Sequence, residues 1–261
     1  MWRNYEASYK TALQDEAFLS WREAGAQQKA LNVVLVCRSI KVGSVVEIGC
    51  GTGAVLRFLH SMSFAREYAC IDAAFSAVQF VRRSCKDFVR GAFVGLAGAL
   101  PFQDTAFDVA ILTHVVEHLD DPVPAIREAS RVARYVVVEV PTEEVLSNMI
   151  RTRVLGRPYA SIEGAGHIQF WSPKSIAAFL EKDCGLQILA RHRDLVSKDT
   201  EFYGKRGLSL AKPLFKEALK AVFPGAVYSR LLTTHATFLC RKAEAAALTL
   251  NSVVTLEGKS A

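Results

Sequence analysis

The sequence predicts an α/β protein built on a mostly parallel sheet with helices on both faces. Three observations carry this reading. From residue 44 onward, short apolar runs alternate with segments of helical periodicity, the pattern of strand–helix–strand units. A glycine-rich turn, Gly49-Cys50-Gly51-Thr52-Gly53, follows the first apolar run. Val136-Val137-Val138 is continuously apolar rather than alternating, as in a strand buried on both faces.

Residues 1–42 read as an amphipathic helical flank. Trp2, Tyr5, Tyr9, Leu13, Phe18 and Trp21 recur at roughly helical spacing. The flank is either a packed helix or a lid over a ligand. Strands are expected at 44–48, 67–71, 92–96, 107–113 and 135–140, with helices near 53–62, 75–85 and 123–131. Ser172-Pro173 reads as an N-cap followed by proline at the first helical position, opening a helix to about Lys182 that Gly185 ends. Segments 186–195 and 233–242 are strand-like. Residues 196–231 between them read as an insertion with a helical stretch near 211–222, and 243–261 as a tail that is partly disordered.

The turn carries the first chemical signal. Glycine lets a ligand lie against bare main chain, and the N–H groups of the helix that follows favour an anion. Gly49-x-Gly51-x-x-Ala54 satisfies the dinucleotide fingerprint. Asp72 ends the second strand, where a carboxylate can accept from both hydroxyls of a ribose. These residues indicate a nucleoside site and leave the cofactor open.

The same turn also reads Glu47-x-Gly49-x-Gly51-x-Gly53. It is followed by Leu100-Pro101-Phe102, by Phe107-Asp108, and by Glu117-His118-Leu119-Asp120-Asp121-Pro122. Later comes His167-Ile168-Gln169-Phe170-Trp171-Ser172-Pro173-Lys174-Ser175. In this order, across roughly residues 40–195, the set resembles the class I S-adenosylmethionine-dependent methyltransferases, in particular the small-molecule enzymes akin to those of quinone biosynthesis. The resemblance implies a Rossmann-like, doubly wound, seven-stranded sheet with an antiparallel last strand, spanning residues 43–242.

It also implies a cofactor, S-adenosylmethionine, and a set of residues around it. Glu47 would lie near the methionine amino group, Gly49, Cys50, Gly51 and Gly53 under the methionine, and Asp72 and Ala73 at the ribose. Ala97 would meet the adenine, and His114 would close the site at the end of the fourth strand. Relatives carry an acid near the adenine amino group; no acid lies between Phe93 and Pro101 here, so adenine contact falls to backbone and apolar groups. His118 and His167 are the candidate bases, needed only where the acceptor must lose a proton.

Other readings remain beside this one. A nucleoside-binding regulatory protein would keep the pocket without turnover. An NAD-dependent oxidoreductase would use the dinucleotide fingerprint. His114-Val115-Val116-Glu117-His118 spells H-x-x-E-H, an inverted zinc-protease signature. That chemistry needs both histidines on one stable helix. The run instead follows a strand and meets Asp120-Asp121-Pro122, so no metal site is expected.

Composition narrows the class. Of the 261 residues, 51% are hydrophobic and 22% charged, as in a globular domain with a sizeable core. Six cysteines include no C-x-x-C pair and read as reduced core residues. The start has no apolar secretory segment, and Val33–Cys37 is far too short to span a bilayer. The chain is expected to be cytoplasmic, without membrane insertion. Between Arg151 and Lys242 there are 16 Lys+Arg and 7 Asp+Glu, a net of +9, while the remainder carries −3. Arg151, Arg153 and Arg157 suit either an anionic small-molecule acceptor or a solvated face. No basic run is interleaved with aromatics as in nucleic-acid binders.

Overall fold

The computed structural model describes residues 5–143, 146–154, 156, 158, 166–195, 210–223, 227 and 234–243. Two helices come first, α1 (Tyr5–Ala12) and α2 (Glu16–Cys37). Then follow β1 (Ser44–Ile48), α3 (Ala54–Ser61), β2 (Glu67–Asp72), α4 (Phe75–Ser84), β3 (Val89–Val94) and β4 (Phe107–Thr113). After a 3-10 turn at Val116–His118 come α5 (Val123–Val132), β5 (Ala133–Thr142), α6 (Leu146–Arg153) and α7 (Pro173–Ala178). A π-helical turn, Phe179–Asp183, leads to β6 (Leu186–Leu195), α8 (Ala211–Val222) and β7 (Thr234–Lys242).

The seven strands are ordered β3-β2-β1-β4-β5-β7-β6. The first five pair in parallel, and β7 runs antiparallel to both β5 and β6. The order reverses between β1 and β4, and ligands bind at such a crevice beyond the carboxyl ends of the strands. Two buried clusters sandwich the sheet. One joins Val46, Ile48, Ala110, Leu112, Val136 and Val138 to Ile126 and Ala129 of α5. The other joins Val45, Val109, Ile111 and Val137 to Ala30 and Val33 of α2, Leu56 of α3 and Val78 of α4. Alternate side chains of a strand face opposite ways. Glu47 and Glu139 therefore share the α2 face with Val45 and Val137.

Most expected elements lie within a residue or two of their place. β3 is the exception: it begins at Val89, not 92, and ends at Val94. Ser172 and Ser175 form a reciprocal capping box, with Ser172 Oγ accepting from the Ser175 N–H and Ser175 Oγ from the Ser172 N–H. The π-helical turn then carries the chain to Gly185, whose φ is +68°. The amphipathic flank is two helices, because Asp15 caps α2 by accepting from the Ala17 N–H at 2.8 Å. All six cysteines are buried and free. Among the described residues, no helix is long and apolar enough to cross a membrane. Residues 1–4 of the flank, most of the 196–231 insertion outside α8, the 244–261 tail and Arg157 lie outside the described residues.

Candidate active site

The glycine turn follows β1 at the order-reversal point. Gly49, Gly51 and Gly53 have φ of +75°, +53° and +68°, values that L side chains rarely adopt. A Cβ at Gly49 would fall 2.6 Å from the Val115 side chain, and one at Gly53 3.0 Å from Val81. At Gly51 it would meet the ends of two flexible side chains, Tyr9 Oη at 2.6 Å and Arg22 Nη2 at 2.9 Å. The α1–α2 segment thus reaches over the turn. It is fastened beyond it as well, since Ser76 at the start of α4 donates its N–H and hydroxyl to Glu6.

Asp72, at the carboxyl end of β2, braces the turn from the side. Its Oδ2 accepts from the Gly51 N–H at 2.8 Å and its Oδ1 from the Ala74 N–H at 2.9 Å. It is 8% exposed. Burial raises its pKa, and the two main-chain donors oppose that rise. A carboxylate has about four lone-pair sites, so acceptor capacity remains on both oxygens. On the opposite flank, Arg57 donates to Thr52 O at 2.8 Å and pairs with Glu23 of α2.

Glu47 lies one strand residue before the turn, 1% exposed, and its Oε2 has no hydrogen-bond partner among the described residues. Burial pushes its pKa up to about 8, against the attraction of Arg22 and Lys29. Burial correspondingly lowers Lys29 to about 8. Arg22, Lys29 and Asn32 come from one side of α2, Arg22 two turns before Lys29 and Asn32 about one turn after it. The helix thereby brings a polar stripe across the buried acids of the sheet.

That stripe ends in a second polar cluster, over β4, β5 and β7. Glu139 is fully buried, and its Oε2 accepts from Asn32 Nδ2 at 3.0 Å and Thr237 Oγ1 at 2.7 Å. His114, with φ +58°, has Nδ1 3.2 Å from Glu117 Oε1 and Nε2 3.6 Å from Glu139 Oε1. Its ring meets that of His235 edge-on at 4.7 Å. Burial drives the His235 pKa down to about 3. Glu139 is held down at about 2, because the neighbouring imidazoles and Lys29 outweigh its burial. Beside this cluster, His167 Nδ1 and Glu143 Oε2 are 2.7 Å apart, and the rings of His118 and His167 meet at 4.9 Å.

The expected cofactor residues therefore fall into two groups. Gly49, Gly51, Gly53, Glu47 and Asp72 surround one turn. Ala73 is exposed beside it, and Cys50 contributes only main chain, its side chain being buried in the core cluster. Ala97 is half-buried in the turn after β3. His114 instead belongs to the second cluster. The H-x-x-E-H run is no helix: His114 precedes a three-residue 3-10 turn that holds His118. Sequence reasoning missed Tyr9, Arg22, Lys29, Asn32, Glu139 and His235. Glu139 did carry a signal, an acid inside an otherwise apolar buried strand, which requires partners. A cleft of about 390 Å³ where α4 passes into β3 is lined by Arg82, Lys86 and Phe93 among others, and by none of the expected site residues.

Comparison with known proteins agrees with this geometry. Residues 46–135 match the family model described as a methyltransferase domain. No curated protein sequence matches the chain. Solved structures share the fold at low identity. A candidate methyltransferase from Bacillus halodurans C-125 is 14% identical, with a TM-score of 0.54 over 84% of this chain and 99% of that one. Geranyl diphosphate C-methyltransferase from Streptomyces coelicolor A3(2), solved with Mg2+, geranyl-S-thiolodiphosphate and S-adenosyl-L-homocysteine, is 16% identical. Its TM-score is 0.55 over 82% of this chain and 76% of that one. A protein from Galdieria sulphuraria, provisionally described as a sarcosine dimethylglycine methyltransferase, is 18% identical, with a TM-score of 0.54 over 87% of each chain. The glycine turn and the acid ending β2 thus lie within the 46–135 segment that matches a methyltransferase domain, in a chain whose fold is shared with these solved structures.

Proposed function

We propose that the protein binds S-adenosylmethionine at the Gly49–Gly53 turn and transfers its methyl group to a small-molecule acceptor. The observation that carries this reading is the pairing of Asp72 with the Gly51 main chain beside Glu47, a buried carboxylate with an orphaned oxygen. A buried acid without a partner is costly, and a cationic ligand group removes that cost. The amino group and sulfonium of this cofactor are such groups. Its carboxylate suits the N–H groups opening α3 and the Arg22 guanidinium above Gly51.

When bound, the cofactor supplies an electrophilic methyl whose departing sulfur is neutral. The chain's own residues then have no developing anion to stabilise. Their work is alignment and exclusion of water. Tyr9 and Arg22 cover the turn as a lid would, and their side-chain ends can swing aside. His167, oriented by Glu143, and its neighbour His118 are the groups suited to take a proton from the acceptor. The basic balance downstream of Arg151 favours an anionic acceptor.

The test is incubation of the purified protein with methyl-labelled S-adenosylmethionine and a small-molecule extract. Label in an extracted product supports the reading. Binding of the cofactor with no transfer to any fraction would assign the fold to a regulatory role, and preference for NAD would assign it to redox chemistry.

A further inference from the structure

Three atoms in the second cluster lack what buried polar atoms need. Among the described residues, His114 Nε2, Glu139 Oε1 and His235 Nδ1 are each inaccessible to solvent and have no hydrogen-bond partner. One ligand atom from each of these three residues lies within 4.8 Å of the other two. They come from three adjacent strands. His114 follows the end of β4, Glu139 lies in β5, and His235 lies in β7, two residues from Thr237, which pairs with Glu139. Orphaned buried atoms are rare, and several aimed at one point imply something that satisfies them together. Two imidazole nitrogens and one carboxylate oxygen form a ligand set for a first-row transition metal.

We propose that His114, Glu139 and His235 bind a divalent first-row transition-metal ion, with the remaining coordination positions open. Bonds of about 2.1 Å at tetrahedral angles separate ligand atoms by about 3.4 Å. His114 Nε2 and Glu139 Oε1 stand at 3.6 Å already. The His235 ring stands beside that of His114, its centroid 4.7 Å away.

The surroundings have the form that orients metal ligands. The other nitrogen of His114 faces the Glu117 carboxylate at 3.2 Å, and the other oxygen of Glu139 is held by Asn32 and Thr237. Such outer partners fix the ring and the carboxylate in place. The left-handed backbone at His114 is a strained conformation for a non-glycine residue, of the kind kept at functional positions. A neighbouring set, Glu117, His118 and His167, also meets the distance condition. There, however, His167 Nδ1 already lies against Glu143.

The proposal does not depend on methyl transfer, and its test needs no cofactor. Tag-free protein stripped with chelator is titrated with Co2+ alone, followed by visible absorption and calorimetry. One equivalent should bind and produce ligand-field bands. His235→Ala and Glu139→Gln, each confirmed folded by circular dichroism, should weaken binding at least tenfold, while His167→Ala should leave it within twofold. Absence of bands and heat in folded wild-type protein overturns the proposal. So does binding that survives in His235→Ala, or binding lost in His167→Ala but kept in His235→Ala, which moves the ion to the neighbouring set.

Discussion

Glu47→Gln isolates the central electrostatic feature of the cofactor turn. The substitution keeps the side chain's shape and removes its charge. In the folded protein, burial raises the Glu47 pKa from an ordinary 4.5 to about 8. That rise corresponds to about 5 kcal/mol at 25 °C. The sign follows from proton linkage. Below pH 4.5 the side chain is protonated in both folded and unfolded chains, and its contribution is fully present. As pH rises toward 8 the unfolded chain releases the proton and the folded one retains it, so stability falls. The loss reaches about 3 kcal/mol by pH 7 and is complete above pH 8. Lys29, lowered to about 8, acts oppositely above that pH, and His235, lowered to about 3, acts oppositely up to pH 6.5, so the Glu47 contribution is read from the difference between wild type and Glu47→Gln. Urea unfolding across this window should show wild type losing stability steeply relative to Glu47→Gln. Parallel curves for the two proteins would refute the reasoning. A cationic cofactor group beside Glu47 favours its ionised form. Binding near pH 7 should therefore release a proton, read by calorimetry in buffers of different ionisation enthalpy, and Glu47→Gln should abolish the release.

Two further substitutions test the turn. Asp72→Ala should weaken cofactor binding by about 1–3 kcal/mol through the lost ribose acceptors and a loosened Gly51, measured by calorimetry; unchanged affinity would move the ribose elsewhere. Gly51→Val places a branched side chain at φ +53° and into the Tyr9 and Arg22 side-chain ends. It should abolish detectable cofactor binding in a protein whose circular dichroism is preserved, and wild-type affinity would exclude the turn as the contact surface.

The central fold was legible because its signals are local. β1 and β4 have the expected bounds, since Val45-Val46 and Val109-Ala110-Ile111-Leu112 are apolar cores flanked by polar or glycine residues. Gly53 and Pro173 mark the starts of α3 and α7. β3 was misjudged at its start because Val89-Arg90-Gly91 mixes a cation and a glycine into a largely exposed edge strand. The glycine turn and Asp72 were legible for the same local reason, a motif tied to a strand end. Glu139 with Asn32, Thr237 and His235 was not, because the hydrogen bonds to Asn32 and Thr237 span 107 and 98 residues. Nothing in a sequence window ties a histidine in β7 to an acid in β5 until the antiparallel register is known. Arg22 and Tyr9 were likewise hidden in an amphipathic flank whose function depends on where it folds back.

The most direct test is a crystal structure of the protein with S-adenosylhomocysteine. The account predicts its ribose hydroxyls at Asp72, its amino acid portion against the main chain from Gly49 to Gly53 with the amino group toward Glu47, and Tyr9 and Arg22 closed above it. A ligand bound elsewhere, with Tyr9 and Arg22 still seated on Gly51, would contradict it.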